Sequence, residues 1–194
     1  MMEKKTDAKK LALSAVMIAL SAGLSMIRII QLPFGGSVTL FGMLPVCMIS
    51  IMYGARWGVF NAFVYSLVQL ALDAGAVAGW GLTPQALVGA VIFDYIAAFS
   101  VLGLAGLFRA SGVPGVLGGI ALAIGLRVAC HIVSGVIFFA SLAPDGRNPF
   151  IYAVCYNAAH MIPEAVLTLV GAVILLKEPH TSKLFRVYRK PSAH

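Results

Sequence analysis

Charge is what this 194-residue chain has least of: 11% of its residues are Asp, Glu, Lys or Arg and 60% are hydrophobic. That leaves too little polar surface to coat a water-soluble globule. Acid is scarcer than base, seven residues against fourteen, for a net charge of +7. The excess cations lie at the ends of apolar runs and in the tails, so membrane topology accounts for them and no nucleic-acid partner is expected. Cysteine is sparse and odd in number. Cys47, Cys130 and Cys155 each sit inside an apolar run, as buried free thiols do, and build no disulfide or metal framework. GxxxxGK[ST] and HExxH are both absent, so P-loop use of ATP and the usual zinc-protease chemistry are excluded, and no metal or cofactor is expected. Ten-residue alternating segments of the barrel kind are lacking too. The basic start 1-MMEKKTDAKK-10 leads into an apolar run long enough to span, with no clear small-residue cleavage site, so it is read as a first span rather than a signal peptide.

What the chain has instead is long apolar runs, and a membrane helix needs about 20 such residues. The expected fold is therefore an all-α integral membrane protein of six transmembrane helices, near residues 11–30, 38–53, 57–72, 84–107, 115–140 and 150–176. The breaks, such as 31-QLPFGGS-37, 73-DAGAVAGWGLT-83 and 141-SLAPDGRNP-149, carry Gly, Pro or charge. The whole of 1–194 reads as one membrane domain, with a basic tail over 177–194 at the lipid headgroups. Six spans put both termini on one side. Lys4, Lys5, Lys9, Lys10, Arg56, Arg109, Lys177, Lys183, Arg186, Arg189 and Lys190 then share that side, against Arg28 and Arg147 opposite, which makes both termini cytoplasmic.

Ionisable residues deep in a span are costly and usually face protein or a water-filled cavity. Asp94 lies midway along its run, where it pairs with Arg127, faces a cationic or amine-bearing ligand, or does both. Arg127 and His131 are four residues apart and share a helical face with Ser134 and Gly135, a combination that suits a cavity wall. In 150-FIYAVCYNAAHMIPE-164, Asn157, His160 and Glu164 form a polar stripe and Tyr152 and Tyr156 an adjacent one. An amide and two phenols can bond and stack on a heteroaromatic ring; for His160 and Glu164, packing or pairing is the favoured reading. Ala15 and Ala19, with Ala12 and Ala22, make a small-residue stripe on the first span, suited to close approach by another helix of this chain or of a partner.

These features together resemble the thiamine-specific substrate-binding subunit, or S component, of energy-coupling factor transporters. The resemblance covers nearly the whole chain and rests on the six-span layout, the alanine stripe, 31-QLPFGGSVTLFGMLP-45, 94-DYIAAFSVLGLAGLFR-109, 127-RVACHIVSG-135 and 152-YAVCYNAAHMIPE-164. It implies a high-affinity thiamine site near the outer face of a prokaryotic cell membrane, closed by the first loop. It also implies no enzymatic activity of the chain's own, and energy drawn from a transmembrane coupling subunit with two ATPase subunits. Carried over by motif, Asp94, Tyr95, Arg127, His131, Tyr152 and Asn157 fall on the family's site positions. In that reading Asp94 meets the vitamin's charge or amine, His131 and Asn157 fix its polar edges, and Tyr95, Tyr152 and Phe139 line its rings. Ala15 and Ala19 become the docking face. Asp94 and Phe139 replace the Glu and Trp that some members carry, and Gly35 and Gly36 stand where some have a first-loop tryptophan. The competing readings are an S component for another vitamin or a thiamine precursor, an ion-coupled carrier, and an intramembrane hydrolase using Ser134.

Overall fold

The computed structural model describes residues 2–144, 146–179 and 181, so the expected basic tail beyond 181, with Lys183, Arg186, Arg189 and Lys190, lies outside the described residues. Among them the chain is mostly helical: α1 (Met2–Ser25), α2 (Leu44–Tyr53), α3 (Ala55–Leu72), α4 (Ala74–Ala78), α5 (Pro84–Gly106), α6 (Gly112–Phe138) and α7 (Pro149–Lys177). Four of these, α1, α5, α6 and α7, contain stretches long and apolar enough to cross a membrane. The burial pattern differs from a soluble protein's in its exterior, which is apolar, and in the polar residues mixed into a hydrophobic core. Val88, Ile92, Ile137, Ile162, Val166 and Ile174 are exposed, while Ser50, Asn61, Ser66, Asn157, Glu164 and Thr168 are buried. An apolar exterior over a partly polar interior is what lipid as a solvent selects.

The first two expected spans are corrected. Instead of a helix to residue 30, α1 stops at Ser25 and the chain forms a two-stranded antiparallel ribbon, β1 (Arg28–Gln31) and β2 (Ser37–Thr39). The fold is thus not all-α. Ile27, Ile29 and Ile30 extend the apolar run, but β-branched side chains suit a strand as well, and pairing slips between Arg28 and Ile30. The second helix, α2, has only ten residues, about 15 Å of rise against a hydrocarbon core of about 30 Å. It ends at Gly54, whose φ of +92° makes the turn into α3 and whose N–H donates to the Ser50 carbonyl at 2.7 Å.

The later helices start where turn chemistry places them. Thr83 accepts from the Ala86 N–H ahead of Pro84, and Asn148 accepts from the Phe150 and Ile151 amides around Pro149. Along α5 the winding changes, with a π segment over Ile92–Ala97 and a 3₁₀ segment over Val101–Gly106. The tight end lies against α2 and α3. A Cβ on Gly106 would sit 2.1 Å from the Ser50 carbonyl oxygen, so glycine alone permits the approach. Ser50 seals it by donating to the Gly103 carbonyl and accepting from the Gly106 N–H. α6 packs along both segments, and the π end also lies against α3, beside the cavity described below.

Candidate ligand-binding site

A cavity of about 140 Å³ lies between the ribbon loop, the C-terminal half of α3, the π segment of α5, and α6 and α7. One water needs roughly a tenth of that space, so the cavity suits a small organic molecule. Asp94, Tyr95, Arg127, His131, Phe139, Tyr152 and Asn157 all line it. Ala15 and Ala19 are exposed on the outer face of α1 and take no part in it.

The π segment adds a residue to the helical turn, and such bulges re-aim side chains. Here the consecutive residues Asp94 and Tyr95 both reach the cavity. Asp94 takes its partners from α6: Oδ1 lies 2.7 Å from His131 Nδ1, and Oδ2 accepts from Ser134 Oγ at 2.5 Å. The ion pair with Arg127 considered for it is therefore replaced by a histidine and a serine. Arg127 Nε donates to His131 Nε2 at 3.3 Å, and its guanidinium carbon lies 4.1 Å from the Phe99 ring centre. A guanidinium can only donate, so Nε2 accepts from Arg127 and Nδ1 is left to donate to Asp94. Both ring nitrogens of His131 are thus engaged, one by Arg127 and the other by Asp94. Two of the four lone-pair directions on the Asp94 carboxylate remain for a ligand.

The charge balance is uneven. Asp73, Asp94 and Glu164 line the cavity with three carboxylates, against the single lining guanidinium of Arg127; Arg28, outside the cavity, pairs with Asp73. The walls are aromatic. Phe139, Trp80, Tyr95, Phe99 and Tyr65 form a continuous row with centroid separations of 5.2, 6.1, 5.9 and 5.4 Å. Across from it on α7, Tyr156 contacts both Tyr152 and His160. Asn157 commits its Nδ2 to the Ala153 carbonyl at 2.9 Å and so presents Oδ1 as an acceptor. Excess carboxylate and ring faces attract a cation or a planar ring with amine donors.

The roof is the ribbon loop, tied to α7 at two places. The Tyr156 hydroxyl donates to the Pro33 carbonyl and accepts from the Gly36 N–H at 3.0 Å, and Thr39 Oγ1 donates to Glu164. A Cβ on Gly36 would meet the Tyr156 oxygen at 2.6 Å, so the fastening requires glycine there. Tyr156→Phe removes both bonds and is expected to raise amide exchange at Gly36 about tenfold; hydrogen exchange with mass spectrometry reads this directly.

Several lining residues carry no signal in the sequence. Asp73 and Trp80 sit in a segment that reads as a Gly-rich break, and Tyr65 and Gln69 in an ordinary apolar run. Glu164 and His160, where packing or pairing is the favoured sequence reading, are buried and also line the cavity. Trp80 Nε1 is buried and finds no acceptor among the described residues, a sign that this wall is built for more than packing.

Comparison with known proteins adds an independent line. A family model described as a thiamine transporter protein matches residues 11–184. The thiamine transporter ThiT of Bacillus subtilis is 30% identical over 158 residues, covering 75% of this chain and 78% of that protein. ThiT of Lacticaseibacillus paracasei is 29% identical over 148 residues, covering 70% of this chain and 71% of its own length. A solved structure of ThiT from Listeria monocytogenes superposes with a TM-score of 0.74 at 24% identity, covering 93% of this chain and 98% of that one, a likeness of fold.

Proposed function

Because the chain belongs to the thiamine transporter protein family, we propose that its cavity binds thiamine and that it is the high-affinity substrate-binding subunit of an energy-coupling factor uptake transporter. One observation carries the ligand assignment: inside aromatic walls, Asp94 and Glu164 face the single guanidinium of Arg127, while the third carboxylate, Asp73, is paired with Arg28 from outside the cavity. Thiamine brings a permanently cationic thiazolium and an aminopyrimidine with donors and acceptors, and each has its counterpart here. Asp94, oriented by His131 and Ser134, meets the positive charge or the amine. Tyr95, Tyr152 and Phe139 lie along the rings, the Asn157 carbonyl accepts from a polar edge, and Arg127 holds the His131 ring in place while covering Phe99.

The whole chain acts as a single membrane domain with six crossings, the second made by the ten-residue α2 together with the residues 38–43 ahead of it, both termini cytoplasmic, in the cell membrane of a prokaryote. Two ends of the molecule support this polarity. At one, Lys10 lies over the Trp57 ring at 4.1 Å and Arg109 donates to the Ile51 and Met52 carbonyls. At the other lie the ribbon, Arg28 and the cavity roof. The cation-rich end faces the cytoplasm and the cavity opens outward. The chain catalyses nothing itself. A transmembrane coupling subunit docks on the small-residue face around Ala15 and Ala19, and two ATPase subunits supply the energy for release inside. The hydrolase reading gains no support from the serine's surroundings: the Ser134 hydroxyl donates to the Asp94 carboxylate and not to an imidazole nitrogen of the triad kind.

Competition with thiochrome, the uncharged tricyclic oxidation product of thiamine, tests the charge argument. Thiamine is expected to bind about tenfold more tightly or better, because a cation gains from ring faces and carboxylate what a neutral ring does not. Equal affinity would remove the charge balance as the basis of recognition.

A further inference from the structure

Asp73 is half-buried at the C-terminal end of α3 and does two things at once. Its Oδ1 accepts from Arg28 of β1 at 2.7 Å, and its Oδ2 accepts from the Tyr95 hydroxyl at 3.3 Å and from Gln69 Nε2 at 3.1 Å. Gln69 Oε1 in turn accepts from Ser25 Oγ, 3.0 Å away at the end of α1. Arg28 does not line the cavity; it lies in a separate crevice with Met26, Leu72 and Asp73 on the outer side of the ribbon. One rigid carboxylate therefore joins the strand that roofs the cavity to a tyrosine in its wall. If the strand lifts, Arg28 leaves Oδ1, Asp73 is free to turn, and the Tyr95 hydroxyl loses its acceptor.

Resting on the thiamine reading of the cavity, we propose that Asp73 is a positioning residue that couples closure of the ribbon to placement of the Tyr95 hydroxyl. Arg28, which touches no ligand, thereby controls how long the vitamin stays bound. The Tyr156 and Thr39 ties fasten the ribbon to α7; the Arg28–Asp73 pair fastens it to α3 and α5. The pair differs from those ties in being open to salt. The Arg28 side chain is 32% exposed and that of Asp73 16%, and ions reach partly exposed pairs.

The test uses the full chain in lipid nanodiscs, with thiamine association and dissociation followed by tryptophan fluorescence. Arg28→Gln is expected to raise the dissociation rate about fivefold, to leave the association rate nearly unchanged, and to abolish the salt dependence of dissociation. Arg28→Lys is expected to recover most of the loss. A ligand-free readout runs in parallel: Tyr95→Phe, although on α5, is expected to raise amide exchange at Leu32, whose N–H bonds the Gly36 carbonyl across the loop. An unchanged dissociation rate in Arg28→Gln, or unchanged ribbon exchange in Tyr95→Phe, overturns the coupling. If the parent chain binds no thiamine, the thiamine reading fails instead, and the exchange experiment still decides whether Asp73 couples ribbon and wall.

Discussion

Asp94→Asn is expected to weaken thiamine binding about a hundredfold while leaving the fold intact, because hydrogen bonds to a charged group contribute about 1.5–3 kcal/mol each and the ligand is a cation. Asparagine keeps the shape and can still accept at one position from Ser134 or His131, so the α5–α6 contact survives. What it removes is the charge. It also places an N–H₂ against either the protonated Nδ1 of His131 or the Ser134 hydroxyl, both of which donate to Asp94 in the parent. Calorimetric titration of the variant, with thermal unfolding as the control, separates the two effects. Parent-like affinity in a parent-like fold would mean that the carboxylate serves only to hold α6.

Replacing Ala15 and Ala19 together by tryptophan is expected to reduce thiamine uptake by cells to background while leaving the affinity of the purified chain within about twofold of the parent. Helix contacts in membranes depend on small residues that let backbones approach, so two indoles in that seam hold a partner off. The fold tolerates the change because α1 is attached through its opposite face. Ser14 accepts from Trp57 Nε1 at 2.9 Å, Ser21 accepts from the Val46 N–H at 3.2 Å, and Ser25 donates to Gln69. Leu11, Val16 and Leu20 share the exposed side with the two alanines. Radiolabelled uptake in a thiamine-requiring strain gives the first number and calorimetry the second. Uptake at the parent rate would place the docking face elsewhere, and loss of binding with uptake would indicate misfolding.

Much of the site was legible because burying charge in a membrane is costly. Asp94, Arg127 and His131 stand out in apolar runs for that reason, and their helical spacing places Arg127 and His131 on one face. The helices α5, α6 and α7 were legible from length and from Thr83-Pro84 and Asn148-Pro149. The ribbon was not, since Ile27, Ile29 and Ile30 continue an apolar run that suits either helix or strand, and only pairing with residues 37–39 decides. Nor is a contact such as Arg28 to Asp73, 45 residues apart, or Gly36 to Tyr156, 120 apart, written in local pattern. The partners of Asp94 turn on the π segment, a change of winding that no side-chain periodicity announces. The contacts of His131 were hidden for a related reason: spacing shows which residues share a face, but not which nitrogen meets which partner.

The most direct test of the account is a calorimetric titration of the purified full chain with thiamine, alongside riboflavin and biotin. The cavity described here predicts saturable binding of one thiamine per chain at sub-micromolar concentration, with neither of the other two vitamins competing. Tight binding of another vitamin with none of thiamine would contradict the ligand while keeping the scaffold, and failure to bind any of them would contradict the substrate-binding role itself.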